Sequence, residues 1–559
     1  MLSVLSVHTT AILTSARPRR VASACKAAPI GGGGGSGAGV SMGCEVPPHP
    51  PWVAEATVSA LVRVLGGANA DGQKEATRSL RALGRRHGSA LTNGMRAAVA
   101  RRVIGVGCMR ARLEFLRRAA VEQMGGYCSE SDDAESASSD TDSDGDSDSD
   151  SEASSDADGR RRLRRRRRRE RAEVLLALYV LHEERRGEGA CAGDEAFVAS
   201  SGVGCVPALA SLQQPGLLDA LALAAPGAVD WPEEPVARLA ATCSLPEWLA
   251  ERLVSSLGAE ESLSFGEAIN TPGPVTLRFN AAAREADPSA SRETLAERLA
   301  AEEGLRCVSG VLSPHALSAT VAATGGPPRS IWAIGAWKDG LFEVQDEGSQ
   351  LIAAAVEAVP GERVLDLCAG NGGKSLALAA AVGPSGIVYV HDVKAYRIRA
   401  LLANARRAGV EERIRVVTPG QLAENKFCDG RPHAVLVDAP CSSTGALRRR
   451  PALRWLLEEH HTVRGRGIWV LQKSLVAKAS TALAAGGRLV YATCSVDRRE
   501  NEGVAEAFEE SAQGADFEMW TFPEGTPGAR EAPRWRHCRQ MLPHVHSTDG
   551  FFMARWRRE

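Results

Sequence analysis

The chain is poor in features that mark several large protein classes, and each shortage narrows what it can be. Aromatic residues make up only 5% of its 559 positions, so Ala, Leu and Val must fill most of any core. No uncharged apolar run approaches the roughly 18 residues of a membrane-spanning helix. The best stretch, Leu217 to Val229, is short and contains Asp219 and Pro226, so no helical span is expected. None of the 13 cysteines forms a Cys-x-x-Cys pair, and their spacing does not repeat. That argues against a disulfide-built secreted domain, a zinc ribbon and a thioredoxin-type centre, and no metal site is expected. No phosphate loop of the G-x-x-x-x-G-K-[ST] kind occurs. Acidic residues are missing altogether from the first 44 positions.

What is present is more specific. At roughly 100–200 residues per domain, the length allows three or four domains. The apolar fraction of 44% is ordinary for a globular protein. The acid-free N-terminus carries Arg17, Arg19, Arg20 and Lys26 among many Ser, Thr and Ala. This is the composition of an organelle transit peptide, and the Gly31–Gly35 run then reads as a linker, giving a segment over 1–45. A plain unstructured N-terminus is the alternative. The Ser and Ala content favours chloroplast over mitochondrion.

The net charge of −1 conceals two opposed blocks. Ser129 to Asp158 holds 13 acidic residues and no basic one, and Arg160 to Arg171 then holds ten arginines against Glu170. Such blocks bury too little to fold alone, so 128–171 is expected to be a disordered insertion. The arginines suit an RNA-contacting arm or a nuclear or nucleolar localisation signal. Mutual neutralisation across a solvated loop is the plainer reading, and a nuclear signal would conflict with the transit peptide.

Helical periodicity runs through 54–120, with Val58, Leu61, Val62 and Leu65 and then Val99, Val103, Ile104 and Leu113. Ala172–His182 and Pro207–Leu221 read as further helices. A helix opens at Pro246. A strand at Val275–Asn280, a helix at Arg292–Glu303 and strand-like pieces at Ile331–Ile334 and Leu341–Val344 follow, forming a small α+β unit. From Gly361 the pattern is α/β. Strands are expected at Val364–Leu367, Ile387–Val390, Ala434–Val437 and Arg488–Tyr491, and helices at Lys374–Val382 and Tyr396–Arg407. Alternation of this kind implies a parallel sheet with ligands at the carboxyl ends of its strands.

Three motifs fall at such ends. The strand ending at Asp366 runs through Leu367, Cys368, Ala369, Gly370, Asn371, Gly372 and Gly373 into Lys374 and a helix. Glycines there let the backbone approach a ligand closely. Asp392, 26 residues on, ends the next strand and suits a ribose hydroxyl pair, or else a helix cap. Together these indicate a nucleoside-containing cofactor. Val437-Asp438-Ala439-Pro440-Cys441-Ser442 and Tyr491-Ala492-Thr493-Cys494-Ser495 are the second and third motifs. A lone strand cysteine is usually a small buried hydrophobe. Two at matching strand ends beside a cofactor loop suit nucleophilic chemistry instead.

These segments resemble the Sun/RsmB-type (NOL/NOP/Sun) RNA 5-methylcytosine methyltransferases, above all the bacterial small-subunit rRNA enzyme. Asp366–Lys374 resembles the family's cofactor loop, Asp438–Ser442 its motif IV and Ala492–Ser495 its motif VI. Arg449-Arg450-Pro451 with Trp455, Gln345-Asp346-Glu347 with Ser349-Gln350, Leu277–Asn280 and Asp549–Phe552 also match, so the likeness runs from about 246 to 559. It implies a Rossmann-like S-adenosylmethionine-dependent domain over 351–559 and an RRM-like N1 domain over 246–350. A weaker likeness implies a helical NusB-like RNA-binding domain over 50–245, interrupted by the charged insertion.

The resemblance further implies Cys494 as nucleophile, Cys441 in product release, Asp438 on the cytosine edge and Lys374 orienting Asp438 or the base. Cofactor contacts are expected from residues 368–374, Asp392, Arg397 and Asp438. The partner would be RNA, small-subunit rRNA in the first place and tRNA as the alternative, bound by a monomer away from membranes. The chain departs from the family at Ala369-Gly370-Asn371-Gly372 and near Thr418–Gln421, where no acid is available for the adenine; backbone groups or Gln421 would serve. Competing readings are a DNA-type enzyme with Cys441 attacking, a small-molecule methyltransferase and a catalytically idle rRNA-binding assembly factor.

Overall fold

The computed structural model describes residues 56–62, 99, 102–103, 105–123, 154–179, 220, 227–321, 331–457, 462–463, 466–528 and 535–559. The transit segment, the Gly31–Gly35 run, most of the acidic tract and all but Ala220 of the Pro207–Leu221 helix lie outside them. Two compact units are distinguished; the larger contains 107–115 and 229–559.

The larger unit opens with three helices, α1 (Pro235–Cys243), α2 (Glu247–Leu257) and α3 (Ala259–Ile269). Glu234 caps α1 with its carboxylate, and Pro235 fills the first helical position, where no N–H is needed. Their apolar faces bury Leu239, Leu249, Leu253, Phe265 and Ile269 around one core. Arg454, fully buried, ties together the C-terminal ends of α1 and α3: its guanidinium donates to Cys243 O, Ser244 O and Asn270 Oδ1.

A four-stranded antiparallel sheet follows. It contains β1 (Val275–Phe279), β2 (Leu305–Ser309), β3 (Ala316–Val321) and β4 (Phe342–Val344), in the order β2-β3-β1-β4. Helix α4 (Arg292–Glu303) starts from a Ser291–Thr294 capping box and ends on left-handed Gly304. The expected strand at Ile331–Ile334 is a 3₁₀ turn instead. It leads into a short helix, Gly335–Lys338, and Trp332 packs edge-on against Trp337 at 5.2 Å. Helix α5 (Glu347–Ala354) joins this sheet to the next domain.

The C-terminal sheet has eight strands. Five of them are parallel in the order β9-β8-β5-β6-β7: Arg488–Thr493, Ala434–Asp438, Arg363–Asp366, Ile387–Val390 and Ile414–Val416. Beyond β9 the sheet turns antiparallel through β12 (Phe551–Arg558), which pairs with both β10 (Phe517–Met519) and β11 (Cys538–Met541). Helices α6 (Gly373–Val382) and α7 (Ala395–Arg407) belong to the βα units, as do α8 (Ile468–Ala482) and α9 (Glu502–Glu509). The central strands read Val-Leu-Asp and Val-Leu-Val-Asp because both faces are covered. Separate cores lie on either side, one holding Val364, Leu436 and Val490, the other Leu365, Val437 and Leu489.

In the smaller unit the expectation of a wholly disordered charged block is corrected. The arginine run lies inside a continuous helix, Ser154–Leu178. Arg166 pairs with Glu170 at 2.8 Å and Arg169 with Glu173 at 3.0 Å, one turn apart. The apolar turns that follow bury Ala172, Leu175, Leu176 and Leu178, so the helix is anchored at that end. Among the described residues no helix is long and apolar enough to cross a membrane.

One contact outside the strands sets the packing at the carboxyl end of the C-terminal sheet. The Gly445 N–H bonds Cys494 O at 2.9 Å, and Gly550 N–H bonds Gly445 O at 2.8 Å. A Cβ on Gly445 would lie 2.1 Å from the Gly550 carbonyl oxygen, backbone against backbone. Gly445→Ala is therefore expected to lower unfolding free energy by about 1–3 kcal/mol in a denaturant titration. An unchanged midpoint would contradict this packing.

Candidate active site

β5 delivers the glycine-rich loop to the carboxyl edge of the sheet. Gly370 and Gly372 have φ of 55° and 94°, which glycine adopts without cost. A Cβ at 372 would also come 2.8 Å from Leu401 Cγ on α7. Four bonds pin the loop. The Ala369 N–H reaches His391 O and the Gly370 N–H reaches Asp392 Oδ2, at 2.9 and 3.1 Å. Asn404 donates to Asn371 O at 3.2 Å, and Arg278 of β1 donates to Gly373 O at 2.6 Å. Arg278 also binds the Gln345 side-chain oxygen, which links the small sheet to the cofactor loop. Cys368 is shielded among Asp366, Asp438 and Asp392; burial first, and then these acids, push its thiol well above the ordinary range. Its side chain is partly buried and packs against the core beneath the loop.

Asp392 does not cap α7, whose N-cap is Lys394. Its carboxylate accepts the Lys394 N–H at 2.8 Å and the Gly370 N–H, and pairs with Arg397 at 3.3 Å. Arg397 thus reaches the loop through Asp392. Gln421 forms a capping box with Thr418, taking the Thr418 N–H at 3.0 Å and its hydroxyl at 2.9 Å. Its side-chain oxygen is therefore engaged within its own short helix.

β8 and β9 run parallel with Asp438 opposite Ala492, and Ala439 N–H bonds Ala492 O at 2.9 Å. This register brings the two cysteine motifs side by side. Cys441 Sγ and Cys494 Sγ are 3.2 Å apart, both as free thiols. Ser443, in the left-handed region at φ 61°, turns its hydroxyl toward them, 3.4 Å from Cys494 and 4.0 Å from Cys441. Lys374, on the first turn of α6, bonds Asp438 Oδ2 at 2.6 Å. Burial disfavours the Lys374 ammonium, but the Asp438 carboxylate outweighs it and holds its pKa up.

The two thiols are held unequally. A hydrogen bond from Cys441 is the main influence lowering Cys494, with Ser443 and Lys374 helping against burial. Cys441 is pushed well up by its hydrogen bond to Cys494, by burial, by the charge of Cys494 and after these by that of Glu500. Either sulfur can donate in this contact, and the surroundings favour the proton on Cys441. Glu500, Ser443 and Gln472 are site components that the motif reading did not assign. Glu500 stood in the sequence only as an acid six residues past Cys494. Ser443 has no signal short of its backbone conformation.

The region from residue 353 to residue 557 matches the 16S rRNA methyltransferase RsmB/F family. The chain is 32% identical over 335 residues to a probable ribosomal RNA small subunit methyltransferase B of Bacillus subtilis, covering 58% of this chain and 69% of that protein. It is 30% identical over 392 residues to ribosomal RNA small subunit methyltransferase B of Pseudomonas syringae, covering 69% and 80%. The chain belongs to the RsmB/F methyltransferase family. It is an S-adenosylmethionine-dependent methyltransferase. A human 28S rRNA (cytosine(4447)-C(5))-methyltransferase is 30% identical over 333 residues, 57% of this chain and 38% of that one. The crystal structure of PH0851 shares the fold, with a TM-score of 0.57 at 21% identity over 91% of this chain and 99% of that one.

The loop fits the cofactor on its own geometry. Gly370 leaves the backbone open, with no atom nearer than 4.0 Å to an added Cβ, and buried Asp366 has an oxygen, Oδ1, with no partner, while its Oδ2 accepts from Ser375 at 2.7 Å. Burial pushes the Asp366 carboxyl up to about 7. Its folded-state pKa is above its unfolded value of about 3.9, so its proton favours the folded state at low pH. Stability from this group is lost as pH rises from about 4 to about 7. Asp366→Asn should abolish that part of the slope in cofactor-free protein, measured as unfolding free energy against pH. Parallel curves for the two proteins would contradict the assignment.

Proposed function

We propose that the enzyme methylates carbon 5 of a cytosine in RNA through a covalent cysteine–cytosine adduct. The observation that carries this reading is the pair of thiols 3.2 Å apart beside the Lys374–Asp438 ion pair. Carbon 5 of cytosine is too weak a nucleophile to take a methyl group directly. Addition of the Cys494 thiolate to carbon 6 makes carbon 5 enamine-like. S-adenosylmethionine supplies the methyl group as an electrophilic sulfonium substituent. Asp438 bonds the ring edge of the base, and Lys374 fixes the Asp438 carboxylate. Loss of the carbon 5 proton then breaks the Cys494–carbon 6 bond, a step assisted by Cys441.

Cys494 is the better attacking group because its neighbours favour its thiolate, and thiolate fraction controls reactivity. Contact with the base edge needs an unstacked target, most accessible in RNA loops. Small-subunit rRNA is the favoured substrate, because that is what the names of the bacterial relatives state. The domain reading goes with it: a helical NusB-like RNA-binding region over 50–245, an RRM-like N1 domain over 246–350 and the methyltransferase domain over 351–559. The acid-free residues 1–44 support delivery to an organelle, in the first place the chloroplast.

The test is trapping on denaturing gels with small-subunit rRNA, tRNA and S-adenosylmethionine. Cys441→Ala should accumulate a protein–RNA adduct with the rRNA, and Cys494→Ala should form none. An adduct that needs Cys441 and survives loss of Cys494 would reverse the roles. An adduct on tRNA alone would move the substrate.

A further inference from the structure

Each cysteine of the site is followed at once by a serine, Ser442 and Ser495. The two serine hydroxyls converge on one oxygen of one carboxylate. Glu500 Oε1 accepts from Ser442 Oγ at 2.5 Å and from Ser495 Oγ at 2.8 Å. Its other oxygen accepts the Ser442 N–H and Gln472 Nε2, both at 2.9 Å. Gln472 in turn donates to Pro440 O at 3.0 Å, on the other side of Cys441. Glu500 is 1% exposed, and among the described residues no cationic side chain pairs with it. Its backbone is fixed as well, since the Tyr491 hydroxyl donates to Glu500 O at 2.5 Å.

Four donors meet a group whose two oxygens only accept, which a carboxylate provides and a carboxamide does not. The arrangement ties the loop after β8, the loop after β9 and α8 to a single point. The other ionisable groups around the thiols are Lys374 of α6, Asp438 of β8, Asp366 and Cys368 from the end of β5, and Tyr491 of β9. Lys374 acts on the Cys494 side, whereas Glu500 is bonded to the backbone next to Cys441.

We propose that Glu500 is a positioning residue for the cysteine pair: it clamps the two loops at the spacing that lets the sulfurs share a proton, and its charge keeps that proton on Cys441. The elevation of the Cys441 thiol by Glu500 agrees with this. The inference rests on Cys494 being the nucleophile and adds what makes the two cysteines unequal.

The experiment uses the full chain without RNA or cofactor. Iodoacetamide alkylation is followed across pH, with peptide mass spectrometry resolving Cys441 from Cys494. In the wild type Cys494 should react first. In Glu500→Gln the Cys494-to-Cys441 rate ratio should fall about tenfold, the effect of one pKa unit, with the Cys441 profile moving to lower pH. A folded Glu500→Gln protein with the wild-type ratio and profiles would overturn the proposal. Ser495→Ala removes one tie and leaves the charge, so its ratio should fall two- to threefold. Should Glu500→Gln not fold, an unchanged ratio in Ser495→Ala overturns the proposal. Faster alkylation of Cys441 in the wild type would instead overturn the nucleophile assignment.

Discussion

The spacing of two sulfur atoms governs the C-terminal domain. Thiols 3.2 Å apart can share a proton, and the sharing eases ionisation of one while the other holds its proton more tightly. That distance depends on a parallel strand pair with Asp438 opposite Ala492, because a shift of one residue would turn the motifs to opposite faces. Behind the strands, Gly445 against Gly550 and Glu500 beneath the two serines hold the loops in place. In front, Lys374 links the cofactor loop to Asp438. The same α6 that begins at the glycine-rich turn therefore carries the cation that organises the reaction centre.

The α/β half was legible because its strands are short apolar runs followed by helical periodicity. Val364–Leu367, Ala434–Val437 and Arg488–Tyr491 lie where strands form. The antiparallel edge was not legible. β11 includes Cys538-Arg539-Gln540, whose polar residues are buried by pairing with β12 and by specific partners. Arg539 stacks on Phe522 at 4.6 Å. No hydrophobic count finds such a strand. The error at Ile331–Ile334 has the opposite cause: an apolar cluster with a tryptophan looks like a strand, but it packs as a turn against Trp337. The arginine run was misjudged because composition weighs charge and does not see the apolar anchor at Leu175–Leu178.

The sequence placed the motif residues at element ends, but not the contacts that support them. Cys441, Cys494 and Asp392 follow strand ends in the sequence pattern, and the resemblance adds Asp438 and Lys374. Arg278 and Gln345 lie in matched stretches, but their bonds to each other and to the loop, like those of Gln472 to Pro440 and Glu500, cross 28 to 95 residues, so no local pattern reveals these contacts. Arg449, Asp346 and Asp549 each lie in matched stretches, but that Arg449 joins the two acids at 2.6 and 2.7 Å, locking the small sheet onto the C-terminal turn, is visible only in the fold.

The central claim is that Cys494 forms the bond to carbon 6. Its most direct test is incubation of the wild-type enzyme with S-adenosylmethionine and RNA carrying 5-fluorocytidine at the target. Fluorine cannot leave carbon 5 as the proton does, so the adduct cannot resolve. Digestion and mass spectrometry should find the methylated fluoronucleotide on the peptide containing Cys494. Its presence on the Cys441 peptide would contradict the account.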